Sequence, residues 1–409
     1  MMAAVLTLLW RQVPSVHELT RVLAREDLLW CRAVKVSQQA LSQRFLEFPA
    51  EPFERVFQDL LPVMASRWQA RQHRPLPKSV EQALSSFERI WIADGSTLEA
   101  LFRKLKSLES AQVGQLAGKM MVVMDLVTRL PVHLWVESNP YAHDTTFGER
   151  LKAQVKPRTL LILDRGFWDF HLFEDLMTQS AAFITRLKAK AALEVLQPLS
   201  KSPWHRDSVV RLGKGYQGNP ILTLRLIEVR VGKQWHTYLT SVLDPEVLPP
   251  GVVADLYQRR WRIETLFQVV TENFEGEIQT LGYPPAALFS FCMALVAYNL
   301  LATVKAALRA VHGAGKVEAG LSWYYLVEDV QATYRGLSIA IEPDYWQQWR
   351  DFSTPQLAHH LLELAAQVNL KTFLKQPRSP KRKKPPLIVD RNHRHLSTQR
   401  LLEEKRAKS

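Results

Sequence analysis

Two short apolar runs, each followed closely by an aspartate and a glycine, constrain this chain more than any other feature. Residues 89–93 read Arg-Ile-Trp-Ile-Ala and lead into Asp94-Gly95-Ser96, while residues 159–163 read Thr-Leu-Leu-Ile-Leu and lead into Asp164-Arg165-Gly166. Unbroken apolar runs of this length, ended by turn formers, predict buried strands. Further strand-like stretches lie at 119–126, 131–137 and 181–186, with helical patterns leading up to residue 154 and across 167–179. The order strand, strand, strand, helix, strand, helix, strand predicts an α/β fold built on a mixed sheet. With the first and fourth strands as parallel neighbours, both aspartates emerge side by side at the carboxyl edge, where open α/β sheets bind ligands.

The flanking stretches follow other rhythms. The first eighty residues read as helical: Ser15 and Glu18 have the spacing of a capping box, and Ser37 is placed to cap a helix over 38–45. On that helix Ala40, Leu41 and Phe45 line one face, while Gln38, Gln39, Ser42, Gln43 and Arg44 face outward. Short polar side chains opening a helix suit base-edge reading in a major groove, and an ordinary amphipathic helix has the same pattern. Residues 190–250 are β-rich and carry turn residues at Gly213, Gly215 and Gly218-Asn219-Pro220. A long helix is predicted over 252–272 and an apolar core helix over 281–308. The divisions expected are a helical N-terminal region (1–80), a core in two parts (85–189 and 251–310), a β-rich insertion (190–250), a helical C-terminal region (311–375) and a basic tail (376–409).

Charge enters the argument through that tail. The 409 residues carry 53 Lys and Arg against 40 acids, and residues 371–409 alone hold 13 Lys and Arg against three acids. Lys381, Arg382, Lys383 and Lys384 stand in a row between prolines. A basic tail on a nearly neutral body points to a polyanionic partner, nucleic acid ahead of acidic lipid. Two cysteines, Cys31 and Cys292, exclude a disulfide scaffold and a cysteine-based zinc module. The longest apolar run, 286–302, has 17 residues and includes Ser290, Tyr298 and Asn299. That is short of the ~20 needed to span a bilayer, and the N-terminus has no signal-peptide pattern. A cytoplasmic protein with no membrane partner is expected.

An acid after a strand is ordinarily just a turn former. Two that meet at one sheet edge repel each other unless a cation lies between them, and oxygen ligands suit a hard divalent metal. A third acid is offered by Tyr257, Arg260 and Glu264, spaced i, i+3 and i+7 on one helical face. A surface ion pair is the ordinary fate of such an Arg and Glu. In this company the arginine fork suits phosphate oxygens and the glutamate suits metal. His143-Asp144, in a polar loop without two further ligands at metal spacing, reads as a turn.

These segments together resemble the DDE transposases of bacterial insertion sequences, in the insertion-sequence-four group. Its signature is a tyrosine, two residues, an arginine, three residues, a glutamate, six residues and a lysine. Residues 256–267 (LYQRRWRIETLF), 239–246 (LTSVLDPE), 92–96 (IADGS), 160–167 (LLILDRGF) and 36–41 (VSQQAL) carry the resemblance, with 184–188 (ITRLK). One position departs: Thr271 stands where the signature has lysine. Loss of that lysine removes one charge-assisted contact to DNA phosphate, typically ~1.5–3 kcal/mol.

The resemblance implies an RNase H-like catalytic core with Asp94, Asp164 and Glu264 as catalytic and metal-binding acids. It implies two Mg²⁺ ions per site, with Mn²⁺ as a substitute. DNA contacts fall to Tyr257, Arg260 and Arg165 near the site, to Gln38, Gln39 and Arg44 in the N-terminal region, and to Lys381, Arg382, Lys383 and Lys384 in the tail. The implied partners are double-stranded DNA, both transposon-end inverted repeats and target, and a second copy in a synaptic dimer at the bacterial nucleoid. Two other classes share these residues: a DNA-binding protein with a decayed catalytic domain, and a metal-dependent nuclease that cuts without joining.

Overall fold

The computed structural model describes residues 1–10, 13, 15–28, 31–49, 51–69, 76–99, 113–114, 116–137, 139, 141–188, 191–213, 218–270, 284–341, 345, 347–376, 388–389 and 398–407. The strands among them are β1 Arg89–Glu99, β2 Val113–Gly114, β3 Leu116–Asp125, β4 Pro131–Glu137, β5 Thr159–Leu163, β6 Ala182–Arg186, β7 Leu193–Lys201, β8 His205–Leu212, β9 Leu222–Val231, β10 Gln234–Thr240 and β11 Ile388–Val389. Nine of these form one sheet in the order β4-β3-β1-β5-β6-β10-β9-β8-β7, and β2 pairs separately with β11.

The chain divides into two compact units, one made of Gln58–Ser96 and Lys119–Thr265, the other of Met1–Phe57, Thr97–Gly118 and Leu266–Ser409. The first contains nearly all of the large sheet. All five residues of β5 are buried, as the unbroken apolar run requires of a strand covered on both faces. β5 is parallel to β1 on one side and to β6 on the other. Ala93 pairs with Leu163, so the next residue on each chain is one of the two aspartates. Leu161, Leu163, Phe167, Leu172, Phe173 and Phe183 lie in the core packed beneath this part of the sheet.

Strands of the 190–250 stretch continue the same sheet, because β10 lies antiparallel to β6 with Tyr238 opposite Arg186. The edge strands are β4 and β7, and the pairing of β7 with β8 shifts register between Val195 and Gln197 and again between Pro198 and Ser200. Arg225 on β9 is completely buried and donates to both carboxylate oxygens of Asp207 on β8, at 2.8 and 2.5 Å. Its Nη1 donates to the Leu248 carbonyl at 2.8 Å, tying the sheet to the segment that enters the helix Pro250–Gln258.

The helix predicted over 252–272 is broken, which corrects the sequence reading. Pro250–Gln258 and Trp261–Gln268 are separate helices. Between them the amides of Arg260, Arg262 and Ile263 bond to carbonyls three residues back, at 3.0 Å each. Such bonds tighten the turn between the two helices, and the Arg260 guanidinium stays beside the Tyr257 ring across it.

The second unit is helical among its described residues, including Met2–Trp10, Val16–Arg25, Gln38–Glu47, Pro284–His312, Trp323–Ala340 and Thr354–Gln367. Ser15 and Ser37 cap their helices, accepting from the Glu18 and Ala40 amides. The carboxylate of Glu18 is engaged with Arg21 at 2.9 Å. Leu41 and Phe45 are buried as predicted, whereas Ala40 is exposed with Gln38, Gln39 and Arg44. The long apolar helix has the length and composition of a membrane span over Ser290–His312, but 61% of that window is buried. Ala307 and Leu308 from it pack with Val317, Leu326 and Ala365 in a core of this unit.

Candidate active site

Asp94, Asp164, Arg260 and Glu264 meet where β5 ends, all within the sheet-bearing unit; β1 runs on to Glu99, so Asp94 lies within its strand and not at its end as the sequence predicted. Arg260 stands in the centre. Its Nη1 donates to Asp94 Oδ2 at 2.7 Å and its Nη2 donates to Glu264 Oε1 at 2.7 Å. Its Nε lies 3.9 Å from Asp164 Oδ1. The tight turn at 259–260 is what aims the guanidinium back at the sheet while leaving Glu264 one helical turn further on.

One guanidinium faces three carboxylates, and the imbalance is visible in their chemistry. Burial pushes the Asp94 carboxyl up to about 7, with Asp164, Asp144 and Glu264 adding repulsion and Arg260 pulling the other way. Asp94 and Arg260 are nearly buried, while Asp164 and Glu264 are each about one-third exposed. The cluster therefore opens to solvent on the side of Asp164 and Glu264. Among the described residues no three Asp, Glu, His or Cys side chains form a ready-made metal cage, because Arg260 lies between the acids. The donor set is nonetheless all carboxylate oxygen and carries excess negative charge, which fits a hard divalent cation.

Tyr257 packs under this centre. It is 5% exposed, its ring is 5.2 Å from that of Tyr238, and its hydroxyl has no hydrogen-bond partner among the described residues. Burial raises the Tyr257 pKa well above its usual range, so the hydroxyl stays protonated. Arg165 is exposed on the turn after Asp164. Gln38, Gln39 and Arg44 lie exposed in the helical unit. Lys381, Arg382, Lys383, Lys384 and Thr271 lie outside the described residues.

Two residues stand behind the aspartates: Asp144, read from the sequence as part of a turn, and Lys119, which the sequence did not single out. Asp144 opens the 3₁₀ turn Asp144–Phe147, and its Oδ1 lies 2.7 Å from Lys119 Nζ. Lys119 also donates to the Ala142 carbonyl at 2.7 Å. The available signal was the glycine shortly after each aspartate, a residue type that marks close approach of another group. What approaches both is Asp144.

Two aspartates from neighbouring parallel strands and a helix-borne glutamate are thus gathered round one arginine. Residues 85–300 match the family model described as Transposase DDE domain, and the chain belongs to that family. The chain is similar to "Transposase InsG for insertion sequence element IS4" of Escherichia coli strain K12, with 27% identity over 170 residues. That match covers 39% of this chain and 37% of the relative, so the chain spans well under half the length of the protein it resembles.

Proposed function

We propose that this protein is a transposase that binds the terminal inverted repeats of an insertion sequence, cuts there and joins the freed end to target DNA. The observation that carries the reading is the gathering of Asp94, Asp164 and Glu264 round Arg260 where β5 ends. The strand arrangement around them supports an RNase H-like core. Asp94, Asp164 and Glu264 would hold two Mg²⁺ ions, or Mn²⁺ in their place, which would supply Lewis-acid activation and charge stabilisation to the reacting oxygens.

The chain's own groups do the positioning. In the first step a water oxygen bonds to phosphorus at the element's end, the bridging bond breaks, and a 3′-hydroxyl and a 5′-phosphate remain. In the second, that 3′-hydroxyl attacks a target phosphodiester, and the expelled target 3′ oxygen takes up a proton. Arg260 would offer its fork to the phosphate oxygens once metal takes up the acids it now holds, and Arg165 on the neighbouring turn would add a second positive charge. Tyr257 supports Arg260 from below: the guanidinium carbon is 5.9 Å from its ring centre. Gln38, Gln39 and Arg44 read the repeat, and the row from Lys381 to Lys384 adds phosphate attraction that falls steeply with salt. Two copies act together at the paired ends, on DNA in the bacterial nucleoid.

The test is cleavage of a supercoiled plasmid carrying the flanking inverted repeats, with Mg²⁺ and with Mn²⁺, comparing wild type and Glu264→Ala. Metal-dependent nicking at the repeat ends that vanishes in the variant is expected, followed by joined products. Nicks without joined products favour a nuclease. Binding without nicking in either metal overturns the enzyme reading and makes Thr271→Lys the next variant.

A further inference from the structure

The carboxylate of Asp144 sits where a side chain at Gly95 or at Gly166 would go. A methyl built on Gly166 would overlap Asp144 Oδ2 and fall 2.9 Å from its Cγ. One built on Gly95 would overlap Oδ1, falling 3.2 Å from the Asp144 Cγ and 3.2 Å from Lys119 Cε. Gly95 follows Asp94 within β1, and Gly166 lies in the turn just after Asp164. A single carboxylate is therefore inserted between the two segments, with Lys119 beside it as counter-ion at 2.7 Å. Neither partner is free to swing, since their side chains are only 13% and 15% exposed and the Lys119 ammonium also holds the Ala142 carbonyl.

We propose that Asp144, held by Lys119, is a positioning residue that sets the spacing at which Asp94 and Asp164 take up divalent metal. The inference rests on the reading of those aspartates as metal ligands. In this role Asp144 acts from behind the ligands and contacts neither metal nor DNA itself. It fixes the separation of Asp94 and Asp164 just where the β1–β5 register ends, at Ala93 and Leu163. Lys119 pairs with the charge of this wedge, whose repulsion of Asp94 is smaller than that of Asp164. Groups that orient metal ligands from behind characteristically change metal affinity by about 10- to 100-fold when removed.

The experiment measures Mn²⁺ binding to the full chain, by electron paramagnetic resonance of the free ion, beside cleavage kinetics in Mn²⁺ on end-bearing DNA. Asp144→Asn keeps the shape and drops the charge that holds Lys119; Gly166→Ala keeps the charge and crowds it. Each is expected to weaken Mn²⁺ binding about tenfold or more and to lower kcat correspondingly. KM for DNA stays within about twofold, and the circular dichroism melt stays near that of wild type, because the wedge acts on spacing and not on DNA contact or on the core. The double variant Asp144→Ala/Gly166→Ala is expected to be no worse than the poorer single change, since both act on one contact. Should Asp144→Asn melt early, Gly95→Ala decides, because the atoms nearest its methyl belong to Asp144 and Lys119. Variants that bind Mn²⁺ and cleave within about twofold of wild type, or losses that multiply in the double, overturn the inference. A wild type that binds no Mn²⁺ sinks the metal-ligand reading itself, and this inference with it.

Discussion

Two arginines are buried in the sheet-bearing unit, and their surroundings differ in kind. Arg225 is fully enclosed, faces a single carboxylate in bidentate fashion, and spends its remaining donor on backbone carbonyls. Its charge is matched and its geometry complete. Arg260, 8% exposed, faces three acids, and its Nε has no hydrogen-bond partner among the described residues. The surplus of acid there costs stability and is retained. A buried ion pair that closes on itself is a strut, whereas one left with excess charge and an open side is a place for something else to bind.

The comparison is tested most severely at the acids. Asp164→Asn should lower end cleavage by at least about a thousandfold, roughly 4 kcal/mol in the barrier, while the urea unfolding free energy stays level or rises slightly. A clear drop in stability would place Asp164 among the struts. Asp207→Ala should do the reverse. Leaving the Arg225 charge buried alone should cost about 3–5 kcal/mol in urea unfolding, and pairing Arg225→Met with Asp207→Leu should recover most of it.

A buried base without any counter-charge gives the third point. His133, stacked on Trp135 with ring centres 5.6 Å apart and set against Trp91 at 5.2 Å, is pulled down to about 4 by burial. Above pH 6.5 it is neutral folded and unfolded alike. As pH falls from 6.5 toward 4 the unfolded chain takes up a proton that the folded one refuses, so stability should decline across that window by on the order of 3 kcal/mol. His133→Phe should flatten the profile there in pH-dependent urea unfolding. The smallest effect belongs to the partly exposed pair of Arg259 with Asp255, 2.8 Å apart. Arg259→Gln should cost below about 1 kcal/mol, and less in high salt.

How much of this was legible in the sequence depends on whether the cause was local. Apolar runs ending in Asp94 and Asp164 announced both strands and both acids, because burial on two faces leaves an unmistakable composition. The parallel pairing of those strands followed from their order and was found as expected. The break after Gln258 left no mark: no Pro or Gly interrupts 252–272, and the apolar period runs on through it. There the turn is imposed by tertiary contacts, Arg260 against the acids and Tyr257 against Tyr238. Asp144 looked like a loop residue because its partners, Gly95, Lys119 and Gly166, are distant in sequence and meet only when the sheet forms. Arg225 and Asp207 were hidden for the same reason, since two charged residues on neighbouring strands predict nothing until the register places them diagonally.

The irregular pairing of β7 has a consequence for how the protein behaves in a crowded solution. A nine-stranded sheet with an open edge offers a row of unpaired amides and carbonyls to any strand that drifts past, and Val195 and Leu196 are exposed along this one. Two register shifts bend that row out of line, and Pro198 deletes one of its donors. An incoming strand can match the edge for only two or three residues before its hydrogen bonds fall out of step. At β7 the sheet is thus denied the flat template on which fibrils grow.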